Sequence, residues 1–277
     1  MTRQIPFIKM HGAGNDFIMI DNRPGYLSGS EDRLIRNLCQ RHFGIGADGL
    51  MLLQFSEPDH FDLQYFNADG KPAAMCGNGA RCAVYMMHLL NPDRKKFAFN
   101  VGDDAYRGEI EVANRAIIYW NTPPEIQEIE GLRGVISKAY TNFAVVNSGV
   151  PHLVLETASS LDEINIQEEG RYYRYHKLFA PDGLNVNFVQ VKNGSVYIRT
   201  FERGVEGETL ACGTGAVAAA VAVTDWKKLR PPVRIIARGG ELQAGVIPEF
   251  GAFWLEGPVV RTFEGIFQSD DFEEGGS

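Results

Sequence analysis

The chain repeats itself once, at half its own length. Cys76-Gly77-Asn78-Gly79-Ala80 returns as Cys212-Gly213-Thr214-Gly215-Ala216, and Phe66-Asn67 before the first copy returns as Phe201-Glu202 before the second. The cysteines are 136 residues apart and the phenylalanines 135, in a chain of 277. A period that long describes two similar domains, not the short stacked units of a solenoid. Each motif leads into a small-residue, apolar segment of helical character, Arg81–Leu90 in one copy and Val217–Val223 in the other. Helices apolar all round belong in the centre of a domain. Each half is therefore expected to carry one cysteine at the start of a buried helix.

The rest of the chain reads mostly as strands. Phe17–Asp21, Phe61–Phe66, Phe97–Val101, Ala116–Trp120, Leu153–Glu156, Asn185–Val191, Ser195–Phe201, Val233–Ala237 and Phe253–Val260 are short runs rich in Val, Ile, Phe and Tyr. Helical periodicity is clearest at Glu31–His42, Ala80–Leu90 and Gly215–Thr224. Strands outnumber helices without regular alternation, which predicts an α+β class. Thr122-Pro123-Pro124-Glu125 breaks both helix and sheet, so the boundary is placed there. The expected domains are 1–123 and 124–261, with a C-terminal segment of about 262–277 packing back on the first. The acidic tail Asp270–Ser277 is expected to fray.

A net charge of −8 argues against a general binder of nucleic acid or anionic membrane, since both need clustered Lys and Arg. No apolar run approaches the ~20 residues of a membrane helix, and the N-terminus lacks a signal peptide's apolar stretch. The expected location is the cytoplasm. A reducing compartment argues against structural disulfides, and the cysteine spacing fits no zinc site. Cys39 and Cys82, inside helical segments, read as buried small hydrophobes. Of the six histidines, His11, His42, His60, His88 and His176 read as surface or core residues. His152 follows a tight turn, Gly149-Val150-Pro151, and opens a strand, which makes it a candidate site residue.

Glycines at a helix start let the backbone approach a ligand. The first N–H groups there lack intrahelical partners and favour a carboxylate. A cysteine at the same place has its thiolate stabilised, from an ordinary value of about 8.5 towards neutrality. Two such helices directed at one amino acid would place a sulfur on each face of Cα, an arrangement suited to stereoinversion. Preorganised donors on the carboxylate would stabilise the carbanion. No phosphate-cofactor loop or placed Schiff-base lysine is evident, so neither a cofactor nor a metal is expected. Three other readings of the residues stay open: a racemase or epimerase of another amino acid, a non-catalytic amino-acid-binding protein, and a redox sensor using the same two thiols.

At these residues the chain resembles the diaminopimelate epimerase family. Lys9-Met10-His11-Gly12-Ala13-Gly14-Asn15-Asp16-Phe17 looks like its N-terminal signature, and Phe43-Gly44-Ile45-Gly46-Ala47-Asp48-Gly49 like the next. Asn67-Ala68-Asp69-Gly70 leading to Cys76–Cys82, and Glu202-Arg203-Gly204 leading through Glu208-Thr209 to Ala211–Ala216, resemble the two active-site blocks. The resemblance implies two pseudo-symmetric domains, each a mixed sheet or barrel wrapped around a central helix. It implies cofactor-independent interconversion of LL- and meso-2,6-diaminopimelate, for lysine and peptidoglycan synthesis, and a small-molecule amino-acid substrate. A homodimer is compatible with it. Carried over, Cys76 and Cys212 are the acid–base pair. Gly77, Asn78, Gly213 and Thr214 hold the reacting carboxylate. Asn15, Asn67, Asn185, Glu202 and Arg203 surround the amino groups and the distal carboxylate, and His152 and Glu202 modulate the thiols. Two positions depart from the pattern. Val150 stands where the family usually has an Asn that holds the distal end of the substrate, and Gly49 where some members have a polar residue. A lost donor to a carboxylate costs about 1–3 kcal/mol if nothing replaces it; Asn147 or a backbone group is the expected substitute.

Overall fold

In both halves a helix begins directly after the repeated cysteine, and the strands are arranged to cover it. The computed structural model describes residues 3–57, 60–73, 75–247 and 252–273. The first passage of chain forms strands β1 (Gln4–Gly12), β2 (Asn15–Asp21), β3 (Gly49–Glu57), β4 (His60–Asn67), β5 (Lys96–Val101), β6 (Asp104–Ile110) and β7 (Arg115–Trp120). Helix α1 (Asp32–Cys39) lies between β2 and β3, and α2 (Gly77–Leu90) between β4 and β5. The second passage forms β8 (Glu125–Gln127), β9 (Tyr140–Asn147), β10 (Pro151–Thr157), β11 (Asn185–Lys192), β12 (Ser195–Glu202), β13 (Gly207–Thr209), β14 (Val233–Ala237), β15 (Gly240–Ile247) and β16 (Ala252–Pro258). Its helices are α3 (Leu132–Val135), α4 (Ile166–Arg174) and α5 (Gly213–Asp225). The chain ends in β17 (Val260–Gln268) and α6 (Asp270–Glu273).

Two compact units result, Met1–Ile118 with Pro258–Ser277, and Tyr119–Gly257. The division falls inside β7 and at the end of β16, a few residues before the expected boundaries at 123 and 261. The expected strand Phe253–Val260 is in fact the end of β16 and the start of β17, separated at Val259.

The two units share one topology. In the first, neighbours run β17–β1–β2–β3–β4–β5–β6, with pairings antiparallel, antiparallel, parallel, antiparallel, parallel and antiparallel. In the second, β8–β9–β10–β11–β12–β14–β15 repeats that series of pairings. The short strand β13 on the end of β12 has its counterpart in a single bridge between Phe66 and Pro72. The internal repeat seen at two motifs thus extends through the whole sheet order. The C-terminal strand β17 supplies the first unit with the strand that β8 supplies to the second.

In each unit one parallel pair, β2–β3 and β10–β11, is covered by a helix on both faces, which explains its near-continuous apolar sequence. In β2, Ile18 and Ile20 pack with Leu34, Ile35 and Leu38 of α1. Phe17 lies on the other side, against the start of α2 beside Gly79. Helix α2 touches β1, β2, β3 and β6, and α5 touches β9, β10, β11, β12, β14 and β15, so each sheet curves around its helix. Helix α5 is almost wholly buried, as its Ala- and Val-rich sequence requires. In the second unit Leu153, Leu155, Val186 and Phe188 face α4, packing with its Ile166 and Tyr173. By the two-residue alternation of a strand, His152, Asn185 and Asn187 face the other way, towards α5.

Helix α4 has no counterpart in the sequence reading, although Asn165 caps it by accepting from the Glu168 N–H and donating to the Glu168 carboxylate. The tail expected to fray is ordered over Asp270–Glu273: Phe272 packs on the first unit's core and its carbonyl accepts from Asn37 at 2.7 Å. Residues 274–277 of that expectation lie outside the described residues.

Candidate active site

Cys76 and Cys212 are the N-cap residues of α2 and α5, and their backbones are superposable: φ −110° and ψ 116° in one, φ −112° and ψ 116° in the other. Each carbonyl accepts the first helical bond, from Ala80 at 2.8 Å and Ala216 at 2.9 Å. Neither cysteine side chain caps its helix. With the N-cap backbone extended, the sulfurs lie beside side-chain oxygens, Asn15 Oδ1 at 3.6 Å from Cys76 and Thr214 Oγ1 at 3.5 Å from Cys212. The positive end of the helix dipole at that point favours an anion. Cys76 is half-buried and Cys212 is buried.

Around Cys212 the polar groups converge. Thr214 Oγ1 lies 3.5 Å from Cys212 Sγ and 2.9 Å from His152 Nε2. His152 is fully buried, and burial, with the Arg203 charge adding to it, pushes its imidazole down to about 3, so the ring is neutral at ordinary pH. Asn185 fixes the neighbouring backbone. Its Nδ2 donates to the Pro151 carbonyl at 3.3 Å and its Oδ1 accepts from the Arg203 N–H at 2.9 Å. Glu202, the last residue of β12, accepts from Thr209 Oγ1 at 2.8 Å. Ser148, buried in the turn before His152, donates to the Thr214 carbonyl at 2.9 Å and ties that turn to the helix start.

Around Cys76 the partner is Asn15. Its Nδ2 donates to Asp48 at 2.7 Å, which turns Oδ1 towards Cys76 Sγ at 3.6 Å and Asn78 Nδ2 at 3.2 Å. Asn78 Oδ1 in turn accepts from Arg81 Nη2 at 2.7 Å. Asp48 is held by Arg41 at 2.9 Å, and Arg41 and Lys9 both grip Asp16. Burial opposes ionisation of Asp16, but the hydrogen bonds and charges of Arg41 and Lys9 outweigh it and hold its carboxyl below the ordinary value. Asn67 ends β4 exposed to solvent, in register with Gly49 and so beside the Asp48 segment.

The predicted site residues thus fall into two groups, each inside its own unit. Asn15, Cys76, Gly77 and Asn78 are gathered at the start of α2. His152, Asn185, Arg203, Cys212, Gly213 and Thr214 are gathered at the start of α5. Asn67 and Glu202 occupy equivalent places at the ends of β4 and β12. Cys39 and Cys82 are buried, and burial pushes the first up to about 12 and the second higher still, which makes both inert. Gly49 leaves no room for a polar side chain: a Cβ there would sit 2.5 Å from the Phe66 carbonyl. Val150 is half-buried, and Asn147 Oδ1 is engaged by the Gly149 N–H at 3.1 Å.

Sequence reasoning passed over Asp48, Arg81, Ser148 and Asn187. The signal was present for two of them. Arg81 is a lone cation in an apolar helix, and Asn187 shares a strand face with Asn185 in an otherwise apolar run. No cluster of potential metal ligands occurs among the described residues, and no helix there is long and apolar enough to cross a membrane.

Comparison with known proteins agrees with this geometry. The family model "diaminopimelate epimerase" matches residues 7–126 and 144–261. A protein named diaminopimelate epimerase from Chlorobaculum tepidum is 40% identical over 261 residues, covering 92% of this chain and 98% of that one. The protein of the same name from Aquifex aeolicus is 36% identical over 282 residues, covering 96% and 99%. Among solved structures, a phenazine biosynthesis protein of the PhzF family from Bacillus anthracis has a TM-score of 0.74 at 12% identity, covering 96% of this chain and 99% of that one. A hydroxyproline epimerase from Agrobacterium vitis has a TM-score of 0.67 at 12% identity, covering 96% and 91%. At such identities the last two establish the shared fold alone. The repeated cysteine-capped helices, the sheet order common to both units and the match along nearly the whole sequence lead to one conclusion: the chain belongs to the diaminopimelate epimerase family.

Proposed function

We propose that this protein interconverts LL- and meso-2,6-diaminopimelate without a cofactor, with Cys76 and Cys212 as its acid–base pair. The observation that carries the reading is the matched backbone of the two cysteine N-caps, joined to relatives named for that activity at up to 40% identity. One sulfur, as thiolate, removes the α-proton; the other, as thiol, delivers its own proton to the opposite face of Cα. The reverse reaction exchanges the roles. The carbanion's charge passes into the α-carboxylate, where the N–H groups of Gly77, Asn78, Gly213 and Thr214 are the donors. Arg203 suits a carboxylate as a planar fork, and Asn15, Asn67 and Asn185 offer both donors and acceptors to the amino groups and the distal end. Thiols that must cycle between protonation states need a reducing compartment, which places the enzyme in the cytoplasm.

The test is turnover. Purified protein is given LL-diaminopimelate and, separately, a panel of single-centre amino acids. Conversion of diaminopimelate well above the panel supports the reading. Equal or better turnover of a panel member would transfer it to that substrate, as Val150 in place of the family's Asn would allow. No exchange of any α-proton would remove it.

A further inference from the structure

Asn187 is absent from every motif considered above, yet it is fully buried directly beneath the start of α5. A Cβ on Gly215 would fall well inside contact distance of Asn187 Oδ1, so the helix turn carrying Cys212 rests on this amide. Its orientation is fixed by a group that can only accept: Nδ2 lies 3.2 Å from the Leu153 carbonyl. The second hydrogen of the same nitrogen points to His152 Nδ1 at 3.0 Å, and Oδ1 accepts from Thr200 Oγ1 at 3.0 Å.

We infer that Asn187 is a positioning residue that sets the tautomer of His152 and, through Thr214, presents a hydroxyl proton to the sulfur of Cys212. The steps follow from donor and acceptor counts. Asn187 donates to Nδ1, so the single ring proton sits on Nε2. Nε2–H donates to Thr214 Oγ1. The hydroxyl's one proton is then directed at Cys212 Sγ, where it stabilises the thiolate. The depressed titration of His152 agrees with a ring that stays neutral and keeps one tautomer. The order Thr200, Asn187, His152, Thr214, Cys212 crosses β12, β11, β10 and α5, so four elements fix a single proton.

The charged groups at this end are Arg203, whose charge acts on His152, and Glu202, bonded to Thr209. Of the other charged groups on the strands packed against α5, Arg199 is engaged with Glu208, Arg234 with Glu241, and Glu156 with Thr141 and Lys228, and Lys192 is exposed at the end of β11. This inference deepens the proposed acid–base role of Cys212 and rests on it.

The experiment measures iodoacetamide alkylation of Cys212 and Cys76 against pH in the full chain, under reducing conditions and without substrate, each cysteine followed by its own peptide in mass spectrometry. Asn187→Leu is expected to raise the Cys212 midpoint by about one pH unit, or to slow its alkylation about tenfold at neutral pH, while Cys76 keeps its profile. Thr214→Val should do the same and Thr214→Ser should restore the original midpoint, so the Thr214 pair decides the matter if Asn187→Leu does not fold. A Cys212 midpoint unmoved in a natively folded Asn187→Leu or Thr214→Val protein, or an equal shift of both cysteines, overturns the inference. Diaminopimelate turnover by the same wild-type sample separates the two readings. Turnover with no shift in the variants removes the relay alone, and a shift without turnover supports the relay while removing the epimerase reading.

Discussion

The third residue of each helix, Gly79 in one unit and Gly215 in the other, is identical in sequence but meets different surroundings, so the same substitution has different consequences. Alanine in a helix is favoured over glycine by at most about 1 kcal/mol. At position 79 the new methyl runs into the terminal methyl of Met51, the far end of a flexible side chain, with Phe17 Cζ at 3.3 Å. Overpacking of that kind costs about 1–3 kcal/mol, so the net change for Gly79→Ala is about 0–2 kcal/mol. At position 215 the methyl runs into Asn187 Oδ1, part of an amide that holds Thr200, His152 and the Leu153 carbonyl. Moving it breaks two buried hydrogen bonds at about 1–3 kcal/mol each. Less the helical gain, the net loss for Gly215→Ala is about 1–5 kcal/mol, and a fall in Tm of roughly 2–20 °C. Thermal and urea unfolding of the two variants beside wild type read the difference directly. Gly215→Ala melting with the wild type, or Gly79→Ala losing more than Gly215→Ala, would refute the packing and network argument.

Cys76→Ser and Cys212→Ser should each lower epimerisation by about 10²–10⁴-fold with little change in melting, measured by coupled turnover and calorimetry; near-normal rates in either would count against the acid–base pair. Because His152 titrates at about 3 in the folded chain against an ordinary 6.5, the unfolded state takes up its proton first, so stability falls as pH drops from about 6.5 towards 3. Urea midpoints between pH 7 and 4.5 should therefore slope downward in wild type and flatten in His152→Gln, and parallel slopes would contradict the assignment. Gly49→Ser should destabilise by about 1–3 kcal/mol without improving substrate binding, because the Phe66 carbonyl occupies the space; a more stable or tighter-binding variant would show that the strand yields.

The two cysteines and the pseudo-repeat were legible because helix starts advertise themselves in short motifs: a small cap, glycines where the backbone must be approached, then an apolar run. The helices begin two or three residues earlier than periodicity indicates, since Gly77 and Gly213 carry no hydrophobic signal. The pairing order of the strands was not legible, because it depends on contacts between segments such as β1 and β17 that lie at opposite ends of the chain. The polar network escaped for a related reason. Asn187, Asp48 and Ser148 are ordinary residues whose importance comes from what the sheet places beside them, and a strand pattern records which face a residue is on, not its partner across the sheet. Thr214 was read for its backbone N–H; its hydroxyl gained meaning only from the position of His152.

Heavy water offers the most direct measurement. Starting from LL-diaminopimelate in deuterium oxide, two sulfurs acting from opposite faces should give product carrying one deuterium at the inverted carbon from the first turnovers, with recovered substrate still unlabelled. Deuterium entering substrate and product equally at those early times would mean that a single base serves both faces, and the roles assigned to Cys76 and Cys212 would be wrong.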